Sequence, residues 1–244
     1  MILLLILFAS LAGGIVSVLL AATVLTVKPA RLERALPRLI SFSTGTLLGA
    51  AMLGMIPHAA DSLPTSTVAQ AMLVGIVSFF VLEKLLVWRH CHKHDCEVHA
   101  SSGPLLLIGD AFHNFVDGVV IAGAFLSSVP LGLTVTLSTI AHEVPQEVGE
   151  FMVYLSSGYT RRRALFLNAV TSLTAVVGAA LGYFFLSQMH HAGPYLLSFA
   201  AAGFIYVALA DLIPTQRGKS SLRLTLLDLL LLLAGIGLIA WVVR

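Results

Sequence analysis

The chain alternates long apolar runs with short polar ones. A helix rises about 1.5 Å per residue, so crossing a hydrocarbon layer of roughly 30 Å takes about 20 apolar residues. Eight runs are long enough: residues 2–27, 39–60, 68–88, 104–126, 131–157, 164–188, 195–213 and 222–243. The pattern predicts an all-α integral membrane protein, one polytopic membrane domain over 1–244 with eight transmembrane helices. The first run lacks a basic leader and stays uncharged until Lys28, longer than the apolar core of a signal peptide, so it reads as a retained span. The fourth and fifth runs are the least apolar.

Composition sharpens this picture. The 244 residues are 58% hydrophobic and 11% charged, with a mean hydropathy of +0.95, which excludes an ordinary soluble domain. The formal net charge is only +2 and no basic block could track a phosphate backbone, so nucleic acid is excluded as a partner. Thirteen of the fourteen Lys and Arg residues fall in alternate loops, after the first, third, fifth and seventh spans. Basic loops face the cytoplasm, so both termini are expected outside. MLGMIP at 52–57 and LADLIP at 209–214 form a short internal echo in spans of opposite direction, as inverted repeats in transporters do. Proline after an apolar run is also an ordinary helix stop.

Ionisable side chains at mid-membrane cost about 2.5–3.5 kcal/mol each on insertion scales, and they usually face a bundle interior or a water path. The fourth span carries Asp110, His113, Asn114 and Asp117 at spacings that share one helix face. The fifth carries His142, Glu143, Gln146, Glu147 and Glu150, with Pro145 among them. That proline should free the carbonyl of Ala141 beside His142. His113 and His142 stand about 14 and 17 Å into their spans, at one depth in two antiparallel neighbours. Imidazole nitrogen and carboxylate oxygen at one depth suit a borderline divalent cation, which would offset the burial of the acids. A lone polar residue such as Asn168 or Asp228 reads instead as a helix–helix contact. For Glu147 and Glu150, cavity and supporting roles both stay open.

At HNFVDG (113–118) and HEVPQEVGEF (142–151) the sequence resembles the ZIP family of divalent-metal transporters, whose fourth and fifth spans carry HNxxDG or HNxPEG and HExPxE-type motifs. FFVLEK (79–84) and YVALADLIP (206–214) resemble the family as well. The resemblance implies an inverted 3+2+3 repeat bundle, with spans one to three and six to eight enclosing four and five. It implies a primary metal site of His113, Asp117, His142 and Gln146, and an adjoining one of Asn114, Asp117 and Glu143. Asp110, Glu147 and Glu150 are possible secondary ligands. It further implies a homodimer, uptake toward the cytoplasm, and an elevator-like movement of spans one, four, five and six against the others. Zn2+ is expected as the transported substrate; the donor set also admits Fe2+, Mn2+, Cd2+, Co2+ and Ni2+. The chain departs from the family pattern at Gln146, which offers only a neutral amide oxygen where other members have His or Glu. Asp117 and Val116 also replace the Glu and Pro of the HNxPEG form.

The loop 89–103, RHCHKHDCEVHASSG, adds His90, His92 and His94 with Cys91 and Cys96 on the cytoplasmic side. Its C-x4-C spacing is not that of a structural zinc knuckle, and a metal-collecting or sensing role is expected. His58, Asp61, His190 and His191 could capture cations at the outer mouth. Two other functions were weighed. An intramembrane metalloprotease of the H-E-x-x-H kind lacks its second histidine, because position 146 is Gln; a metal receptor that does not transport would share the site. The expectation is a transporter rather than an enzyme, in a bacterial cell membrane.

Overall fold

The computed structural model describes residues 1–24, 26, 29–88, 102–189, 191–213 and 222–243. These are helical almost throughout: α1 (Ile2–Val24), α2 (Pro29–Gly49), α3 (Ile56–Ala60), α4 (Thr65–Trp88), α5 (Ser102–Ser127), α6 (Val129–Ser156), α7 (Arg161–Ser172), α8 (Thr174–Gln188), α9 (Gly193–Tyr206) and α10 (Leu222–Val242). Seven helical stretches among the described residues are long and apolar enough to cross a membrane. The remaining expected span is α6, whose 28 residues are ample in length but whose polar run from His142 to Glu150 keeps it outside that set. Large apolar side chains such as Leu4, Phe8, Leu73, Phe166, Phe185 and Trp241 cover the outside, as a lipid-facing surface requires.

Three expected spans are irregular. The sixth breaks at Leu173 into α7 and α8, where Thr174 Oγ1 lies 2.6 Å from the carbonyls of both Ala111 and Thr171. The second and seventh each contain a π-helical segment, Ala50–Met55 and Val207–Leu212. These segments coincide with the MLGMIP and LADLIP echo. Each packs across the molecule, the first against α9 and the second against α2, so the sequence echo has a structural counterpart.

Close helix pairs are built on glycine. At Gly118 of α5 an added Cβ would stand 1.9 Å from the Ala175 carbonyl, and at Gly178 of α8 one would stand 2.0 Å from that of Phe115. This reciprocal contact lets the two backbones touch. The helices α1, α5, α6, α7 and α8 pack mainly on one another, while α2 pairs with α10 and α4 with α9. The two groups meet chiefly where α6 crosses α2.

The α5–α6 hairpin has two unlike halves. Near its turn, Val120–Phe125 and Leu131–Val135 enter the main apolar core with Leu47, Met55, Leu197 and Phe204. Ser128 caps α6 by accepting from the Leu131 N–H at 3.2 Å. Away from the turn, the facing surfaces of the hairpin carry nearly all of the buried acids.

Candidate metal centre

Helical spacing places His113 and Asp117 one turn apart on α5, facing His142 and Glu143 of α6. One ligand atom from each of the four lies within 4.8 Å of all the others. His142 Nε2 is 3.2 Å from Asp117 Oδ2 and 3.7 Å from Glu143 Oε1, and His113 Nε2 is 3.4 Å from Glu143 Oε1. Two ligands on one tetrahedral zinc, each at about 2.0–2.2 Å, lie roughly 3.4 Å apart, so the spacing fits a shared cation. The atoms do not satisfy each other by hydrogen bonding. His113 Nε2, Asp117 Oδ2 and both Glu143 oxygens are buried without a hydrogen-bond partner.

The orientation of His142 is fixed from behind. Its Nδ1 lies 2.8 Å from the Ser138 carbonyl, which can accept only from a protonated Nδ1, and this contact turns Nε2 toward the cluster. Ser138 in turn donates from its hydroxyl to the Thr46 carbonyl of α2 at 2.9 Å. The ring also meets Phe204 edge to face at 5.8 Å and His113 at 5.5 Å.

The carbonyl of Ala141 that Pro145 frees is not open to a cation. Ser43 of α2 donates its hydroxyl to it, a partner that no local pattern in the sequence announces. α6 continues as a helix through Pro145.

Other expected ligands take different positions. Asn114 donates its amide to Asp110 Oδ1 at 2.7 Å and to the Asp110 carbonyl at 3.2 Å. Gln146 donates to Glu150 Oε1 at 3.3 Å, so it does not pair with His142 as the second histidine of a protease would. Glu143, expected with Asn114 in the adjoining site, stands instead with the two imidazoles. Asp110, Glu147 and Glu150 form a second group of buried acids, each at most 7% exposed, with Tyr154 and Asn168 beside them. Tyr154 lies one turn beyond Glu150, a spacing visible in the sequence that the reading of the acids passed over.

A cavity of about 600 Å³ between α5 and the α4–α9 pair reaches the cluster. Its walls are mostly apolar, with Phe79, Phe112 and Phe199 among them, and His113, Asp117 and His142 border it. His113 keeps a quarter of its side chain exposed, with its Nε2 buried, while the other three ligands are closed off. At the expected outer mouth His58 is half-buried in α3, and Asp61 and His191 are exposed. His190, and His90, Cys91, His92, His94 and Cys96 of the 89–103 loop, lie outside the described residues, as do residues 214–221; α5 takes up Ser102 and Gly103.

The chain is also similar to known proteins. The family model described as ZIP Zinc transporter matches residues 88–242, a stretch that contains both motifs. The chain is 31% identical over 214 residues to zinc transporter YKE4 of Saccharomyces cerevisiae, covering 75% of this chain and 62% of that protein. It is 31% identical over 218 residues to zinc transporter ZIP13 of Pongo abelii, covering 82% and 65%. With zinc transporter SLC39A7 of Mus musculus the identity is 37% over 144 residues, 56% of this chain and 30% of that protein. The matched region thus spans less than two thirds of the length of each of these relatives. Taken with a two-helix cluster of histidines and acids inside an all-helical membrane bundle, the match to the family over 88–242 is decisive: the chain belongs to the ZIP zinc transporter family.

Proposed function

We propose that the chain carries divalent metal ions, zinc foremost, across a membrane toward the cytoplasm through the centre between α5 and α6. The observation that carries this reading is the convergence of His113, Asp117, His142 and Glu143, whose ligand atoms lie within 4.8 Å of one another, with His113 Nε2, Asp117 Oδ2 and both Glu143 oxygens lacking hydrogen-bond partners. Asn114 and Gln146 complete the set of metal ligands, their amide oxygens entering as an ion passes. The similarity to zinc transporters of yeast and mammals supports zinc as the cargo. A protease draws no support from the position of Gln146.

The topology is part of the proposal. α6 serves as the fifth of eight spans, the bundle is an inverted 3+2+3 repeat, and the whole chain is one membrane domain with both termini on the outer side. The sorting of Lys and Arg supports that orientation, and the paired π segments support the repeat. The relatives named above come from yeast and mammals. They lend no support to a bacterial inner membrane, so the host membrane is left to experiment. The packing of α1, α5, α6, α7 and α8 as one group supports movement of that group against the rest. A homodimer and a metal-collecting role for the 89–103 loop belong to the same reading.

Zinc influx into proteoliposomes, read by a trapped fluorescent indicator, tests the central claim. Wild type should show saturable flux that His142→Ala abolishes. Zinc binding without flux in the wild type would favour the receptor over the transporter.

A further inference from the structure

Among the described residues, the clustered ligands all come from α5 and α6. Two hydrogen bonds nevertheless tie α2 to the backbone just ahead of His142. Ser43 donates its hydroxyl to the Ala141 carbonyl, and Ser138 donates its own to the Thr46 carbonyl at 2.9 Å. Each helix thus supplies one hydroxyl and one carbonyl, three residues apart, in antiparallel order. Ser43, Thr46 and Ser138 are at most 1% exposed, so water does not stand in for either bond. Thr46 turns its own hydroxyl back to the Ser43 carbonyl at 2.8 Å, which closes the α2 side of the pair.

The two ties do different things. A carbonyl in an unbroken helix keeps the N–H four residues on when a side chain leaves it. Ala141 has no such donor, because residue 145 is proline, and a carbonyl left alone in a membrane interior is costly. Ser43 therefore supplies what α6 cannot supply from that position of its own chain. Ser138 acts on the metal ligand. Its carbonyl faces His142 Nδ1 at 2.8 Å, so the residue whose hydroxyl is held by α2 also aims His142 Nε2 at Asp117 and the cluster. Both bonds lie where α6 crosses α2, the chief meeting of the two helix groups. A slide of α6 past α2 by one turn, about 5.4 Å, would break both at once.

We infer that Ser43 and Ser138 are positioning residues, a pair of hydroxyl ties by which α2 holds α6 in the zinc-binding arrangement and frees His142 when the two helices slide apart. The inference rests on the transport reading above and adds to it which contacts must break for the loaded group to move. Zinc binds best where His142 is held, so the tied arrangement favours zinc and zinc favours the tied arrangement by the same factor. Loss of the ties weakens binding and eases movement, two effects of opposite sign on transport.

Zinc affinity of the purified full-length protein, by chelator competition, and zinc uptake into proteoliposomes over a range of concentrations test it together. Ser43→Ala with Ser138→Ala should raise both the dissociation constant and the half-saturating concentration about tenfold, at about threefold for each hydrogen bond lost inside a membrane. Maximal uptake should stay at or above that of wild type. Each single variant should show the threefold change, which keeps the test decisive if the double variant fails to fold. Ser43→Thr, which keeps a hydroxyl, should behave as wild type. Unchanged affinity in the alanine variants overturns the ties. So does a maximal uptake that falls along with the affinity, or a Ser43→Thr that matches Ser43→Ala, since both are marks of general loosening. A wild type that binds zinc without uptake overturns the transport reading instead, and the affinities alone then decide whether α2 positions His142.

Discussion

The two acid clusters on the α5–α6 hairpin share helices and burial but differ in their partners. In the cluster nearer the hairpin turn, Asp117 and Glu143 each have an imidazole nitrogen within 3.4 Å or less. In the cluster farther from it, Asp110, Glu147 and Glu150 have amide donors, the Thr171 hydroxyl and a phenol nearby. Imidazole raises affinity for zinc and its neighbours, whereas all-oxygen sites bind divalent ions more loosely and with less discrimination. A transport site must bind strongly enough to admit an ion and weakly enough to release it.

The contrast can be broken most severely at the imidazoles. His142→Ala removes a ligand outright. Because even an outer partner of a metal ligand is worth 10–100-fold, zinc affinity should fall by about 100-fold or more, measured by competition with a chromophoric chelator. Placing an imidazole among the oxygens should erase the contrast instead. Glu150→His is expected to slow zinc release by about tenfold, seen in stopped-flow efflux into chelator. Acid should act on the first cluster in the same sense as His142→Ala. Ligation needs unprotonated imidazole, so tight zinc binding should fall by about tenfold or more between pH 7 and pH 5, and dialysis at both pH values would detect it. The smallest effect separates support from ligation. Ser43→Ala leaves the Ala141 carbonyl without its partner at a cost of about 1 kcal/mol. It should lower the melting temperature by a few degrees while leaving metal stoichiometry unchanged.

Much of this arrangement was legible in the helical period. The i, i+4 spacing of His113 and Asp117 and the motif around His142 placed these ligands opposite each other without any tertiary information. Glu143 was harder to place, because neighbouring residues on a helix point about 100° apart. Only the actual rotation of α6 shows that its long arm turns back to the imidazoles. Asn114 and Gln146 were seen as ligands by position. Their amide ends are set by competition with Asp110 and Glu150, which spacing alone does not resolve. The sequence also shows that Pro145 must free a carbonyl, but the group that answers it, Ser43, is 98 residues away and looks like any serine in an apolar span. The break at Leu173 was hidden for a similar reason: its hydroxyl anchor reaches across to α5.

The π segments have a consequence of another kind. A π turn is an α-helix carrying one residue more than its register accommodates, the trace that a single-residue insertion leaves in a helix that could not be unwound. Ala50–Met55 and Val207–Leu212 carry that surplus at matching places in the MLGMIP and LADLIP echo. Deleting one residue from either segment would convert it to ordinary helix and rotate the Ile-Pro step beyond it by about 100°. The surplus residue therefore works as a spacer, setting the angular phase between the two ends of each span.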